Sequence, residues 1–358
     1  MNIGMISLYL PSGLHGGVPV QVHILANEMV ARGHSVTVFS FFDKPSEARY
    51  HVRTVRLPPF LQKRVARRHG WGIYLFPWFV ARENFSGFDL IWAHGDSHGM
   101  GSSIPIVRTF HSSGIDQALR PRGWQQSLAM LGIFPWEWLS GYRANRCVFV
   151  SHVLKKYFPL LKGPVIPDAV DLSLFKPKGE ARSASPTILF VAGTAYGRKR
   201  GPLLYQQFCD KVLPKIPNAT LWMVCAEKFE GPGVVWWNVR SHEKLVELYQ
   251  QCWVFCLPSS HETFGVPYVE AMACGAPVVS TPNEGAHEVL DHGAFGVFAS
   301  PRKLGKTLVE LLSDPLRRQR MAEKGLERAQ EFSLRRVADQ YEELFSDVTG
   351  IASARRVA

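Results

Sequence analysis

The sequence lacks several motifs that are typical of redox, metal-binding and nucleotide-binding proteins. It contains no CxxC pair, no G-x-G-x-x-G dinucleotide fingerprint and no G-x-x-x-x-G-K-[ST] phosphate loop. No uncharged apolar run reaches the roughly 18 residues that a membrane-spanning helix requires. The six cysteines are scattered through apparent strands and helices, which favours reduced core residues over a disulfide frame or a zinc site. These absences predict a cytoplasmic protein, or one bound peripherally to the inner face of the membrane.

Length and composition predict a globular chain of two domains. Its 358 residues exceed what one hydrophobic core usually supports, and 46% hydrophobic with 20% charged residues excludes general disorder. The net charge of +11 is uneven, since residues 1–172 hold 18 basic residues against 10 acidic ones. The first half therefore carries most of the positive field. The first ten residues have neither a basic leader nor a signal-peptide core, and they predict a strand.

A loop with three glycines follows this first strand. Gly16 and Gly17 stand just before a predicted helix over residues 20–32, and a strand rich in β-branched residues follows at 35–40. The glycine pair fits a plain tight turn, and it equally fits backbone that an anionic group can approach closely.

Histidines stand at the ends of two predicted strands in the first half. Residues 88–94 end at His94, with Asp96 just beyond, and residues 104–111 end at His111. Since the carboxyl ends of parallel strands share one edge of a sheet, we expect the two histidines to meet in a crevice there. The pattern is compatible with a structural role and with a functional one.

A stretch of basic and aromatic residues covers positions 63–82. Four cations are followed by five bulky aromatics within nine residues: Lys63, Arg64, Arg67, Arg68, Trp71, Tyr74, Phe76, Trp78 and Phe79. Three interpretations remain, namely a helix over the edge of the core, contact with nucleic acid, and adsorption to an anionic membrane. The aromatics exceed what a phosphate-binding groove needs, so we expect a membrane surface rather than nucleic acid as a partner.

The second half carries three cations in a glycine-flanked loop. Arg198, Lys199 and Arg200 lie between Gly197 and Gly201, after a predicted strand over 187–192 and before a helix. Backbone donors and cations at the end of a strand suit a diphosphate, although a solvated basic turn has the same composition.

Two carboxylates are the other notable feature of this half. An apolar strand at 253–257 leads into a polar loop with Glu262, and a helix with Pro267 in its first turn carries Glu270. That helix is predicted to end near Cys274, with Gly275 as its cap. Both carboxylates can face one crevice, and the amides of residues 264–266 at the helix N-terminus favour phosphate or hydroxyl oxygens.

The spacing of Glu262 and Glu270, with seven residues between them, resembles the E-x7-E signature of retaining glycosyltransferases of family 4. Further similarity lies in Gly16-Gly17, in Arg32-Gly33-His34, in His111 after a strand and in Phe332-Ser333. The resemblance implies an α/β protein of the GT-B fold, with two doubly wound, Rossmann-like domains facing across a central cleft.

The expected domains follow from this resemblance and from a stretch rich in turn formers at 174–186, which predicts a linker. Residues 1–173 would bind the acceptor, and residues 187–332 would bind the nucleotide sugar. A helix over 333–348 would pack back toward the first domain, and residues 349–358 would be a tail.

The resemblance also implies roles for single residues. Donor-binding residues would be Gly16, Gly17, Arg198, Arg200, Phe264, Gly265, Val266 and Glu270, with Glu270 on the ribose. Catalytic residues would be His111, Lys199 and Glu262, with Lys199 neutralising the diphosphate. Many relatives have Gly-Arg where this chain has Gly193-Thr194, so the partner cation would be Arg198 or Arg200. His94 and Asp96 are candidates for acceptor contacts, which no motif identifies.

The implied activity is transfer of a sugar, with retention and without a metal or other cofactor, from a UDP or GDP sugar to a hydroxyl acceptor. The acceptor would be a cell-envelope glycan or a lipid-linked saccharide, presented at an anionic membrane surface bound by residues 63–82. Two alternatives remain: a nucleotide-sugar epimerase or phosphorylase on the same fold, and a non-catalytic subunit that binds sugar nucleotides.

Overall fold

The computed structural model of the protein describes residues 1–11, 17–61, 70–101, 103–118, 124–179, 182–239 and 241–351, and only the backbone of residues 70, 71 and 124–126. Within these ranges the chain divides into two compact units. The first unit consists of residues 1–11, 17–167 and 334–351. The second consists of residues 168–333.

The described part of the first unit contains a six-stranded parallel sheet. In chain order its strands are β1 (Asn2–Ile6), β2 (Ser35–Ser40), β3 (His51–Thr54), β4 (Leu90–Ala93), β5 (Ile106–Phe110) and β6 (Arg146–Phe149). Across the sheet the order is β3-β2-β1-β4-β5-β6. This order reverses direction between β1 and β4, which defines a doubly wound sheet. Strands β4 and β5 are buried at every residue, which explains their continuous apolar character.

Helices connect these strands. They are α1 (Gly17–Ala31), α2 (Gly70–Val80), α3 (Gly114–Ala118), α4 (Trp124–Arg143) and α5 (His152–Lys155). Helix α5 starts at an N-cap, because the Ser151 hydroxyl accepts a hydrogen bond from the Leu154 amide.

The second unit repeats the architecture. Its described strands are β7 (Thr187–Val191), β8 (Thr220–Val224), β9 (Val234–Trp237), β10 (Val254–Leu257), β11 (Val278–Ser280) and β12 (Val297–Phe298). They form a parallel sheet in the order β12-β11-β10-β7-β8-β9, with the reversal between β7 and β10. Its helices are α6 (Gly201–Gln207), α7 (His242–Gln251), α8 (Val266–Ala273), α9 (Glu284–Val289), α10 (Leu304–Ser313) and α11 (Pro315–Ala329). The prediction of two doubly wound α/β units is confirmed.

The predicted linker at 174–186 lies inside the second unit, and the division of the chain falls after Pro167. Phe175 is buried, with its ring 6.1 Å from that of Tyr249. The Gln250 side chain donates a hydrogen bond of 2.8 Å to the Lys176 carbonyl. This stretch therefore packs on the second unit. The apolar contact of Phe175 and the hydrogen bond to Lys176 attach it there.

The final helix, α12 (Leu334–Thr349), belongs to the first unit. Arg32, at the end of α1, extends its guanidinium to Asp339 at 2.6 Å, to Glu342 and to the Arg335 carbonyl. The Arg32 side chain is only 3% exposed. His34 Nε2 lies 2.8 Å from the second carboxylate oxygen of Glu342. Helices α1 and α12 are thus joined by a charge network in which Arg32, His34 and Glu342 are buried and Asp339 is half exposed.

Arg32→Leu is expected to lower the unfolding free energy of the first unit by about 3–5 kcal/mol, because it leaves the buried Glu342 carboxylate without its main counter-charge. Urea denaturation followed by tryptophan fluorescence measures the change. Arg302→Leu, at an exposed position of the second unit, is the control and is expected to change the free energy by less than about 0.5 kcal/mol. Equal effects of the two substitutions would contradict the prediction.

Candidate active site

Lys199 and Glu262 form an ion pair where the second sheet reverses its order. Lys199 ends a single helical turn that follows β7, and Glu262 lies in the loop that follows β10, the strand next to β7. The Nζ–Oε1 distance is 2.7 Å, and the side chains are 15% and 7% exposed. In doubly wound sheets the crevice at this reversal binds ligands. The pair therefore stands at the edge of the second unit where a ligand is expected.

The charges around Glu262 determine its protonation state. Burial by itself raises the pKa of this carboxyl, but the nearby ammonium of Lys199 outweighs burial, and the charge of Arg198 adds to the effect. The pKa of Glu262 is consequently lowered. Glu262 is an anion near neutral pH, and it accepts hydrogen bonds rather than donating them.

Backbone contacts fix the cationic loop to its neighbour. The Ser260 amide donates to the Arg198 carbonyl at 2.8 Å. On the other side, the Glu227 carboxylate accepts from the Thr194 hydroxyl at 2.5 Å and from the Ala195 amide at 2.7 Å. Arg200 has left-handed backbone angles (φ 53°, ψ 37°) just before α6. This conformation is uncommon for a residue with a side chain, and it marks the loop as conformationally constrained.

The loop after β10 turns sharply into α8 at Gly265. Its φ of +108° lies where other residues are strained, and a Cβ atom there would lie 2.5 Å from the Tyr268 ring. Val266 and Pro267 then open the helix. The helix ends as predicted, with Cys274 as its C-cap and Gly275 at φ +73°. Phe264, Gly265 and Val266 thus surround a helix N-terminus, where backbone N–H groups attract oxygen atoms.

Glu270 lies in α8, where Tyr249 from α7 donates a hydrogen bond to its Oε2 at 2.9 Å. Burial raises the pKa of Glu270 to about 7, and the Tyr249 hydrogen bond opposes this rise. Glu270 and Glu262 therefore differ in charge near neutral pH, since among the described residues only Glu262 has a cationic partner at hydrogen-bond distance. The sequence pattern identified both glutamates but gave no indication of Tyr249.

Gly285 sets the position of the Glu262 backbone. Its amide donates to the Glu262 carbonyl at 3.1 Å, and a Cβ atom at this position would lie 2.4 Å from the same oxygen. A glycine is required here because α9 approaches the loop so closely. Neither Gly285 nor Glu227 was identified as part of the site from the sequence, because their contacts are made by backbone atoms or by residues distant in the chain.

In the first unit, His94 and His111 contact each other, as predicted. His94 follows β4 and His111 follows β5, and His94 Nδ1 lies 2.9 Å from His111 Nε2. The rings stack at 5.2 Å. Asp96 forms a buried ion pair of 3.0 Å with Arg108. Both acceptor candidates, His94 and Asp96, are therefore engaged with other residues of the same unit.

Glu137, which no sequence pattern indicated, lies near this cluster. It is buried, and its Oε2 accepts a hydrogen bond of 2.8 Å from the Gly114 amide. Burial raises the pKa of Glu137 to about 8, with a further contribution from the charge of Asp96. Because Gly114 begins α3 three residues after His111, Glu137 supports the loop that carries this histidine.

Some predicted site residues lie outside the described residues. They are Gly16 and the cations Lys63, Arg64, Arg67 and Arg68. Gly17 is the first residue of α1, and apart from its neighbours in the chain and in α1, none of the described residues has a heavy atom within 4 Å of the position that its Cβ would take. The space beside Gly17 is therefore compatible with the close approach of a ligand.

Both halves of the chain match family models of glycosyltransferases. The model for glycosyltransferase family 4 matches residues 15–174, and the model for glycosyl transferases group 1 matches residues 226–328. An uncharacterized glycosyltransferase of Methanocaldococcus jannaschii is 25% identical over 355 residues, covering 84% of this chain and 86% of that protein. D-inositol 3-phosphate glycosyltransferase of Corynebacterium urealyticum is 36% identical over 109 residues, covering 30% of this chain and only 26% of the relative.

Solved structures share the fold over nearly the whole chain. Sucrose-phosphate synthase of Thermosynechococcus elongatus superposes with a TM-score of 0.80 at 20% identity, covering 98% of this chain and all of the other. Anabaena HepE, solved in complex with UDP-glucose, superposes with a TM-score of 0.71 at 18% identity, covering 97% and 100%. The fold is GT-B, and the chain belongs to glycosyltransferase family 4.

Proposed function

We propose that this glycosyltransferase moves a sugar, with retention, from a UDP or GDP sugar to a hydroxyl acceptor. The observation that carries the proposal is the set of groups between β7 and β10, where the strand order of the second sheet reverses. Lys199 and Glu262 form a buried ion pair there, beside the helix N-terminus at residues 264–266. A cation suits the diphosphate, whereas a carboxylate and backbone amides suit sugar hydroxyls.

In this proposal Lys199, with Arg198 or Arg200, neutralises the charge that develops on the diphosphate as the sugar departs. Glu262 and the amides of residues 264–266 hold the hydroxyls of the transferred sugar. Glu270 accepts hydrogen bonds from the ribose. Gly16 and Gly17 bind the phosphates through their backbone. No metal or other cofactor is assigned to the reaction.

The chemical step that we propose needs no protein base. The bond between the anomeric carbon and the diphosphate oxygen breaks, and the acceptor oxygen bonds to the same face of that carbon. The departing phosphate takes the proton of the acceptor hydroxyl. His111 of the first unit contributes to this step through hydrogen bonding.

A panel of nucleotide sugars tests the donor. UDP-glucose, the ligand named for Anabaena HepE, is the first choice, and GDP sugars are the comparison. We expect one nucleotide class to raise the melting temperature, because a ligand that binds only the folded state stabilises it. Chromatography coupled to mass spectrometry then distinguishes the reactions: transfer and phosphorolysis form products of new mass, whereas epimerisation forms a product of the same mass with a different retention time. Binding without any product would indicate a non-catalytic subunit.

We further propose that the acceptor is a lipid-linked or cell-envelope saccharide at an anionic membrane surface. Trp78 of α2 is 52% exposed, and Trp136 of α4 is 38% exposed, with their rings 6.2 Å apart. Leu128 and Leu131 of α4 are 57% and 45% exposed. Exposed tryptophans beside leucines are typical of residues that enter the interface of a bilayer. Within the described ranges, no helix has both the length and the apolar character to cross a bilayer.

Trp78→Ala combined with Trp136→Ala is expected to reduce binding to phosphatidylglycerol vesicles by about tenfold or more, because two interfacial anchors are lost. Co-sedimentation measures bound protein at low and at high salt. The control is Leu316→Ala, which changes a residue of the second unit that is 70% exposed. The membrane proposal would be refuted if the two variants bound vesicles equally, or if binding did not depend on the content of anionic lipid.

A further inference from the structure

The second ring nitrogen of His94 has no hydrogen-bond partner in the part of the chain that the structure describes. The ring is 6% exposed, its Nδ1 faces His111, and its Nε2 is buried without a hydrogen-bond partner among the described residues. A neutral imidazole has one donor and one acceptor nitrogen. The unpartnered Nε2 of His94 therefore restricts which ring donates the proton between His94 Nδ1 and His111 Nε2.

The ring of His94 also packs against an aromatic cluster. The Trp92 ring packs at 4.6 Å from it, and the Tyr341 ring packs at 4.5 Å from Trp92. Trp92 is itself fixed, because its Nε1 donates a hydrogen bond of 3.0 Å to the Thr109 hydroxyl. Rotation of His94 to find another partner would therefore disrupt a packed aromatic cluster.

The two possible directions of the His94–His111 hydrogen bond are not equivalent. If His111 donated, His94 would carry its proton on Nε2, and a buried N–H group would be left without an acceptor. Buried N–H groups without an acceptor are rarer in folded proteins than buried acceptors whose lone pairs are not fully used. If His94 donates, its Nε2 holds only a lone pair. Burial, with the neighbouring His111 and Arg108, also lowers the pKa of His94 well below its ordinary value, so the ring is neutral.

We propose that His94 is a positioning residue that donates through Nδ1 to His111 Nε2, and so holds the proton of His111 on Nδ1. The lone pair of His111 Nε2 is then occupied. Nδ1 of His111 then carries a donor N–H group, and the ring has no free lone pair with which to accept a proton. This inference deepens the proposed function, because it assigns to His111 the part of a hydrogen-bond donor rather than of a general base.

The proton position is measured directly in long-range ¹H–¹⁵N spectra of the full chain labelled with ¹⁵N-histidine, with His111→Gln identifying the signals. We expect Nδ1 of His111 to be protonated and Nε2 to be unprotonated in the wild type. A proton on Nε2 would overturn the inference. This measurement needs no substrate, so it is decisive even if the protein transfers no sugar.

Kinetics then test the link to catalysis. His94→Phe keeps an aromatic ring and removes the donor, and we expect kcat to fall about 10- to 100-fold while KM for the nucleotide sugar changes less than about twofold. His94→Asn, whose amide can replace the Nδ1–H donor, is expected to recover most of the loss. His98→Phe is the matched control, because His98 is also a buried histidine of the first unit and has no hydrogen bond to His111.

A double-mutant comparison separates positioning from a general structural role. In a His111→Ala background, His94→Phe is expected to have no further effect on kcat, since its effect acts through His111. An undiminished fall of kcat in that background would overturn the inference. The inference would also be overturned if kcat fell equally in His94→Phe and His98→Phe and did not recover in His94→Asn.

Discussion

Lys199→Met is expected to lower kcat by about 10²- to 10³-fold, because the developing charge on the diphosphate loses a fixed cation in a partly buried site. The substitution should also lower the unfolding free energy by about 3–5 kcal/mol, since Glu262 remains as a buried carboxylate without its partner at 2.7 Å. Steady-state kinetics with the identified donor and urea denaturation measure the two effects.

The double variant Lys199→Met with Glu262→Gln separates catalysis from stability. Its buried pair is neutral, so we expect most of the lost stability to return while kcat stays low. The control is Lys306→Met, which removes the cation of an exposed pair with Glu310, 3.8 Å away, in the same unit. Exposed pairs contribute little to stability, and this variant should match the wild type in both measurements. If the double variant regained activity, the assignment of Lys199 to the diphosphate would be wrong.

Glu270→Gln is expected to weaken nucleotide-sugar binding by about 10- to 100-fold, because hydrogen bonds to a charged acceptor contribute roughly 1.5–3 kcal/mol. The wild-type affinity should also depend on pH. The carboxyl has a pKa of about 7, so it is mainly protonated at pH 6 and mainly ionised at pH 8. If the ribose requires the ionised form, affinity rises roughly tenfold over this interval. Calorimetry with the nucleotide sugar at both pH values measures the rise.

The same carboxyl makes the stability of the free protein depend on pH. Its pKa in the folded state is raised from 4.5 to about 7, so the folded state binds the proton more tightly than the unfolded state does. The resulting stabilisation is fully present below about pH 4.5 and is lost as the pH rises through about 7. Glu270→Gln should abolish this part of the pH dependence.

Glu310→Gln, at an exposed position, is the control for both measurements and should retain the wild-type pH profile. Nucleotide-sugar binding that is unchanged in Glu270→Gln would remove Glu270 from the ribose site. An affinity independent of pH would show that the ligand does not require the ionised carboxylate.

The local elements of this chain could be predicted because their determinants are local. Apolar runs such as 253–257 read as buried strands, and Pro267 and Gly275 mark the start and the end of α8. The linker could not be predicted in the same way, since turn formers indicate loop conformation without indicating which unit the loop packs on. Phe175 and Lys176 attach that stretch to α7, which lies about 70 residues further along the chain.

The sequence by itself determined the alternation of strands and helices and the spacing of Glu262 and Glu270, because both are properties of neighbouring residues, and the family resemblance that this spacing carries implied the doubly wound architecture. Only the tertiary structure decided how these groups are charged and paired. Lys199 keeps Glu262 ionised from 63 positions away, and Tyr249 rather than a cation faces Glu270. His94 meets His111 because β4 and β5 are adjacent. Protonation depends on distances between residues remote in sequence and on their burial, and folding alone establishes both.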